Sequence, residues 1–259
     1  MFIINVILLN GFDHMTQYLL KAIVLIVLGA IAVLMAFIAK YWAPDRNVAE
    51  LKQWQLPNSE FIDIQGMQAH VVQSANCYKN RDNAAEKNRP ETIVLLHGTS
   101  ASLHTWEGWT KALSDQYCVV SMDLPGFGLT GPYVDESTQY SSENYAAFVI
   151  EVLNHLKLDR VTLAGNSLGG KVAWRTAALY PERVNRLILV DSVGYPAPPK
   201  HIPIGFKLAK FPAMSPILKC ILPRSVVEKS VLSVYADDSK VDEELINRYY
   251  ELTLRQGNR

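Results

Sequence analysis

Cysteine is scarce in this chain: three in 259 residues, Cys77, Cys118 and Cys220. The number is odd and the positions lie far apart, which gives neither a metal-ligand spacing nor a disulfide framework. Cys118, inside an apolar run, reads as a small core residue. An excess of charge is missing too, since 25 basic residues meet 25 acidic ones. Without a basic patch or aromatic–basic interleaving, nothing points to nucleic acid as a partner. No internal repeat is present, and no residue set asks for a cofactor or a metal. Histidine is thin in the second half: of six, only His201 follows residue 167.

What the chain does have is apolar residues, 49% of the total, enough for the core of one domain plus an anchor. Ala22 to Ala39 is an uncharged run of 18 residues, a length that spans the hydrocarbon core of a bilayer. Tyr18, Lys21, Lys40, Tyr41 and Trp42 flank it as interfacial anchors. A cleaved signal peptide has a shorter apolar region and a small-residue cleavage site, which is not evident here. The run therefore reads as an uncleaved, single-pass membrane anchor. Lys21 precedes the span, whereas Lys40, Arg46 and Lys52 follow it, and that count leans toward a cytoplasmic domain.

The most telling stretch is Val161 to Lys171, V-T-L-A-G-N-S-L-G-G-K. A short buried strand runs into Gly165-Asn166-Ser167-Leu168-Gly169 and then into a helix with Val172, Ala173, Ala177 and Ala178 on a small-residue face, ending at Tyr180-Pro181. A serine on such a sharp turn stands clear of the sheet, and the flanking glycines let strand and helix pass closely. The helix N-terminus aims its free N–H groups at the reacting centre. Ser167 is the candidate nucleophile, and the Leu168 N–H a candidate oxyanion donor. Gly165 to Lys171 also spells G-x-x-x-x-G-K, nearly a phosphate-binding loop, with Leu187 to Asp191 as its acidic strand. Val172 stands where that motif needs a hydroxyl for the metal, which argues against nucleotide binding.

Upstream, Ile93 to Leu96 reads as a strand covered on both faces, ending in His97-Gly98-Thr99-Ser100. The Thr99 N–H is the candidate second oxyanion donor, and His97 reads as a structural turn residue. A helix over Leu103 to Ser114 follows, then a strand, Cys118 to Met122, and the turn Asp123-Leu124-Pro125-Gly126-Phe127-Gly128. Ser141 caps a helix whose Tyr145, Phe148, Val149, Val152, Leu153 and Leu156 repeat at helical spacing. Strands alternating with helices predict a parallel sheet with right-handed crossovers. Asn76 to Glu91 reads as a solvated loop.

The segments H-G-T-S-A-S, D-L-P-G-F-G and G-N-S-L-G-G, in that order, resemble the α/β-hydrolase superfamily, in its serine esterase, lipase and carbon–carbon bond hydrolase branches. The resemblance implies a mostly parallel sheet flanked by helices, with a helical cap over the serine. It implies a triad in the order Ser, Asp or Glu, His. The chain divides accordingly into an anchor over 1–42, a linker over 43–60, a hydrolase core over 61–195 and a helical cap over 196–259. Pro196, Pro198, Pro199 and Pro203 mark a linker before three short helices, over Ser215–Leu222, Ser225–Tyr235 and Asp242–Leu254. The family's last strands, with its acid and histidine, would need roughly 50–70 further residues. The chain thus reads as cut off before its catalytic acid and base. Ser167, Asp191 and His201 stand in triad order, but His201 sits in the proline-rich linker.

The expected function is a membrane-anchored serine hydrolase acting on carboxylic esters, a small-molecule or lipid-like substrate class. Carbon–carbon bond hydrolysis is the alternative, and Asn166 before the serine leans that way. An inactive relative that binds a ligand beneath its cap is the non-enzymatic alternative. Many anchored hydrolases of this type work outside the cytoplasm, against the charge count above.

Overall fold

Three of the apolar runs become the centre of a six-stranded sheet. The computed structural model describes residues 2–78, 90–194 and 219–259, with side chains from Met15 onward. β1 (Ser59–Ile64) and β2 (Met67–Gln73) form an antiparallel hairpin. β2 pairs antiparallel with β4 (Cys118–Met122), and β4, β3 (Thr92–Leu96), β5 (Val161–Asn166) and β6 (Val184–Val190) run parallel. The order across the sheet is β1-β2-β4-β3-β5-β6. β3, β4 and β5 are buried along nearly their whole length, which is why their sequences are apolar without alternation. Among the described residues β6 pairs only with β5, and its Leu187, Ile188 and Leu189 are exposed.

The helices follow from their patterns. Leu103–Trp106 is a 3-10 turn that leads into α2 (Glu107–Leu113), where one continuous helix is predicted. The break buries Trp106 and leaves Trp109 partly exposed, edge-on to it at 5.0 Å. In α3 (Ser142–His155) the Ser141 hydroxyl accepts the Asn144 N–H at 3.1 Å. Tyr145, Phe148, Val149, Val152, Leu153 and the following Leu156 are all buried against the sheet. α4 (Leu168–Leu179) buries Val172, Ala173 and Thr176, while Ala178 faces solvent. Beyond β6 come α5 (Arg224–Leu232) and α6 (Glu243–Thr253), the latter capped by Asp242. The proline linker, His201 and most of the predicted Ser215–Leu222 helix lie outside the described residues; Lys219 to Leu222 form a turn and a bridge.

α1 (Phe2–Tyr41) carries the apolar run, and its Met15–Tyr41 part is long and apolar enough to cross a membrane. The stretch expected as a linker is ordered. Val48–Trp54 forms a 3-10 helix with an Asn47–Glu50 capping box, and Leu51 and Trp54 pack on Leu129 and Leu252. Arg46 donates its N–H to Leu254 and accepts from Gln256, and its guanidinium meets Glu251 at 2.9 Å. The segment leaving α1 is therefore stitched along the end of α6.

The cysteines correct the sequence reading. Cys77 and Cys118 form a disulfide, with Cα atoms 4.5 Å apart, and both are buried. Two lone cysteines 41 positions apart carry no local signature of pairing. They meet because β2 and β4 are neighbours in space, so Cys77, just past β2, reaches the first residue of β4. Asn76, in the stretch read as a solvated loop, is likewise pinned, donating to the Ser114 and Asp115 carbonyls. A crosslink closing a loop of this size removes unfolded-state entropy of about 4 kcal/mol. The Cys77→Ala/Cys118→Ala double variant is expected to lose about 2–5 kcal/mol of stability. Urea unfolding beside the wild type, with and without reductant, measures the loss, and reductant is expected to shift only the wild type.

Candidate active site

β5 passes into α4 through a turn with no room for side chains on its inner face. A Cβ on Gly165 would land on the Gly169 carbonyl, and one on Gly169 would land on the Leu96 carbonyl of β3. The absence of both lets the helix start directly over the strand ends. Ser167 takes the bend with φ +50° and ψ −113°, a region that costs an L-residue about 1–3 kcal/mol. Its own backbone offsets that strain. The Ser167 N–H donates to Val190 at 3.1 Å, and its carbonyl accepts from Lys171 at 3.1 Å and Val193 at 3.2 Å. The turn is thus held by the end of β6 as well as by α4.

Ser167 is half-exposed, and no described side chain hydrogen-bonds its hydroxyl. Leu168 opens α4, so its N–H has no acceptor within the helix and lies at the positive end of the dipole. Gly98 brings the loop after β3 against the same turn. A Cβ there would sit 2.9 Å from Asn166 Oδ1 and 3.3 Å from Ser167 Cβ. Thr99 follows directly and is exposed. The three residues singled out from the sequence, Ser167, Leu168 and Thr99, are therefore neighbours at the carboxyl ends of β3 and β5. Asp191 follows β6 with φ +44° and is exposed, next to the Val190 carbonyl that binds Ser167. His201, the third member of the Ser167–Asp191–His201 order, lies outside the described residues. The phosphate-loop spelling is not a loop: Gly165 and Asn166 finish β5 and Leu168 starts α4, leaving no row of backbone N–H groups to cradle a phosphate.

His97 is structural, as its place in the turn predicts. It is fully buried, and its Nε2 accepts the Leu124 N–H at 3.0 Å. Its Nδ1 therefore carries the proton and donates to the Gly98 carbonyl at 2.7 Å. Burial lowers its pKa, so it stays neutral, with both nitrogens engaged.

What fixes this loop at its far end lies outside the readings made from the sequence. Asp123 is a buried hub. Its Oδ1 accepts the Leu103 N–H at 2.7 Å, and its Oδ2 accepts the Leu129 N–H at 2.8 Å and faces His70 Nδ1 at 2.7 Å. His70 Nε2 in turn meets the Ser59 hydroxyl at 2.7 Å. One carboxylate thus ties β1, β2, the turn after β4 and the loop that carries Thr99. Burial pushes the Asp123 carboxyl up, but His70, His97 and the Leu129 N–H outweigh it and bring it down to about 2. A polar histidine inside the apolar run of β2 is the one sequence signal that could have revealed this network. Ser59, His70 and Asp123 copy the connectivity of a triad, but Ser59 Oγ already accepts the Leu56 N–H at 2.9 Å, so the set reads as a fastening between strands.

A half-exposed serine on a strained strand-to-helix turn, beside a glycine-bearing loop, at the carboxyl edge of a parallel sheet, defines an α/β-hydrolase fold. Residues 91–211 of the chain match the family model described as alpha/beta hydrolase fold. Among solved structures it is similar to wild-type Cfl2 of Burkholderia cenocepacia, at 25% identity and a TM-score of 0.61, over 77% of this chain and 67% of that one. A crystal structure of a membrane phospholipase A shares the fold at 22% identity and a TM-score of 0.58, over 94% of this chain and 72% of that one. The uncharacterized hydrolase YugF of Bacillus subtilis is 31% identical over 159 residues, 61% of this chain. The chain spans 57% of the length of that relative.

Acid should weaken the fold through its buried histidines. Burial lowers His97 and brings His104 from 6.5 down to about 4, so both are neutral when folded. Their contribution is complete above the unfolded value of 6.5 and fades as the pH falls toward 4. Asp123, lowered from 3.8 to about 2, adds a further loss over that lower range. Thermal melts from neutral to mildly acidic pH are expected to show a steady fall in Tm, less steep in His104→Gln. Asp123→Ala, which orphans His70 in the interior, is expected to cost about 3–5 kcal/mol at neutral pH by urea unfolding.

Proposed function

We propose that this chain is a membrane-anchored serine hydrolase that cleaves carboxylic esters of amphiphilic, lipid-like substrates. The observation that carries the reading is the Ser167 turn, where a costly backbone conformation presents a hydroxyl beside a loop and a helix start that can supply N–H donors. Ser167 Oγ attacks the ester carbonyl and gives its proton to a general base, forming a tetrahedral oxyanion. The Leu168 and Thr99 N–H groups stabilise that oxygen. Collapse expels the alcohol, which takes up the proton, and water then releases the acid from the acyl-enzyme in the reverse sequence. The described histidines do not bond Ser167, so the base comes from outside the described residues. His97 is excluded by its bonds to the Gly98 carbonyl and the Leu124 N–H.

The apolar Met15–Tyr41 helix supports a location at a bilayer surface, which favours substrates that partition there. The fold shared with a protein named as a membrane phospholipase A supports the same substrate class. The test is active-site labelling of the full chain in detergent with a fluorophosphonate probe, beside fatty-acid release from phospholipid vesicles. Labelling is expected to vanish in Ser167→Ala, with hydrolysis reduced by about 10³-fold or more. A folded wild-type chain that neither labels nor releases fatty acid sinks the reading in favour of a non-catalytic binding protein. His201→Ala decides whether the base lies in the chain's own linker: loss of labelling there assigns it.

Gly98 offers a subtler check. The added methyl of Gly98→Ala presses on Asn166 and Ser167 at the distances given above and shifts the Thr99 N–H away from the oxyanion position. A fall in kcat of about 10-fold to 100-fold is expected, with KM little changed. An unchanged kcat would remove the loop from the oxyanion site.

A further inference from the structure

The disulfide bears on a question that the charge count around the anchor answers in the opposite sense: on which side of the membrane the domain lies. Cys77 and Cys118 are held together by more than their own bond. The Ser74 N–H donates to the Val119 carbonyl at 2.8 Å, and the Val119 N–H donates back to the Ser74 hydroxyl at 3.0 Å. Asn76 fastens the same turn to the Ser114 and Asp115 carbonyls. The two cysteines are therefore brought to bonding distance by the fold itself. Cys220, half-buried and remote, remains free, so the pairing is selective.

The position of the pair separates it from any catalytic redox role. Cys118 begins β4, whereas Ser167 follows the end of β5, and the two strands run in the same direction within one sheet. The disulfide thus lies at the opposite end of the sheet from the elbow. It is buried, so it is closed to thiol exchange in the folded protein. A crosslink with these properties is a permanent staple, and such staples form and persist in oxidising compartments rather than in the reducing cytoplasm.

We propose that everything after Tyr41 lies on the oxidising, non-cytoplasmic face of the membrane, where Cys77 and Cys118 are joined during or after translocation. The inference rests on reading α1 as a membrane anchor. The described residues after α1 then share one side, because among them none forms a further helix long and apolar enough to cross. The charge count does not oppose this strongly. Of the cations after the span, Arg46 is paired with Glu251, and Lys40 lies over the Tyr41 ring at 5.3 Å. A long domain also crosses largely regardless of its charge. Oxidation requires a partner of defined chemistry, a disulfide-bearing thiol oxidoreductase. One cysteine thiolate attacks the carrier's disulfide to form a mixed disulfide. The second thiolate displaces the carrier, which leaves as a dithiol with the two electrons and two protons lost by Cys77 and Cys118. The ester pool open to Ser167 is then that of the outward-facing leaflet and its adjoining space.

The experiment uses the full chain, made in a bacterial host with an oxidising periplasm. Cys220 is changed to Ala and the exposed Glu182 to Cys, giving one reporter thiol away from the elbow. In intact spheroplasts a membrane-impermeant maleimide is expected to label that reporter fully. Cys77 and Cys118 are expected to resist alkylation in denaturant until a reductant frees two thiols, read as a mass shift. A reporter labelled only after lysis, with the chain still in the membrane fraction, overturns the proposal and leaves the anchor intact. Two thiols free before reduction overturn it as well. A chain found in the soluble fraction defeats the anchor reading instead, and the proposal with it.

Discussion

The close contact of two backbones at the end of β5 is the constraint on which the rest of this molecule hangs. Gly169 of α4 rests on the Leu96 carbonyl of β3, and Gly165 faces Gly169, with no Cβ between them. Any side chain there would lift the helix from the sheet and relax the bend at Ser167. Because the helix cannot lift, Ser167 is held at a positive φ and its hydroxyl projects beyond the strand ends. The same closeness brings Gly98 against Ser167, so the loop after β3 and the start of α4 flank one point in space. The site is thus a product of packing first and of chemistry second.

A buried carboxylate supplies the other half of that rigidity. The loop carrying Thr99 starts at His97, whose ring binds Gly98 and Leu124, and it ends at Leu103, whose N–H binds Asp123. A loop fastened at both ends has little conformational freedom left to lose, which suits the oxyanion role proposed for its Thr99 N–H. Asp123 also reaches β2 through His70, so the antiparallel hairpin is coupled to the edge that carries Ser167. The strap after the anchor joins the same region from the other side, since Leu51 and Trp54 pack on Leu129, whose N–H binds Asp123. The 48–54 segment, α6 and the loop after β3 therefore gather around one buried carboxylate.

The parts legible in the sequence were those with short-range signatures. Gly165 to Gly169, the helical stripe from Tyr145 to Leu156 and the apolar strands each announce themselves within a dozen residues, because the period of a helix or strand is local. The helix over Leu103 to Ser114 was only half right. Trp106 is drawn into the core, and a 3-10 turn absorbs the change of direction. What escaped has long range. Cys77 and Cys118, His70 and Asp123, and Arg46 and Glu251 are each separated by at least 41 positions, and nothing near either partner specifies the other.

The sequence by itself determined the fold family and the candidate nucleophile, because strand, elbow and helix are written consecutively and their sterics allow few other arrangements. It also determined an apolar span of bilayer length. Tertiary structure alone decided that the cysteines pair, that the expected linker is an ordered strap on α6, and that His97 is consumed by its own loop. The physical reason is common to all three. Each depends on which distant segments become neighbours, and such adjacency, like the strand order β1-β2-β4-β3-β5-β6, is a property of the folded chain rather than of any segment within it.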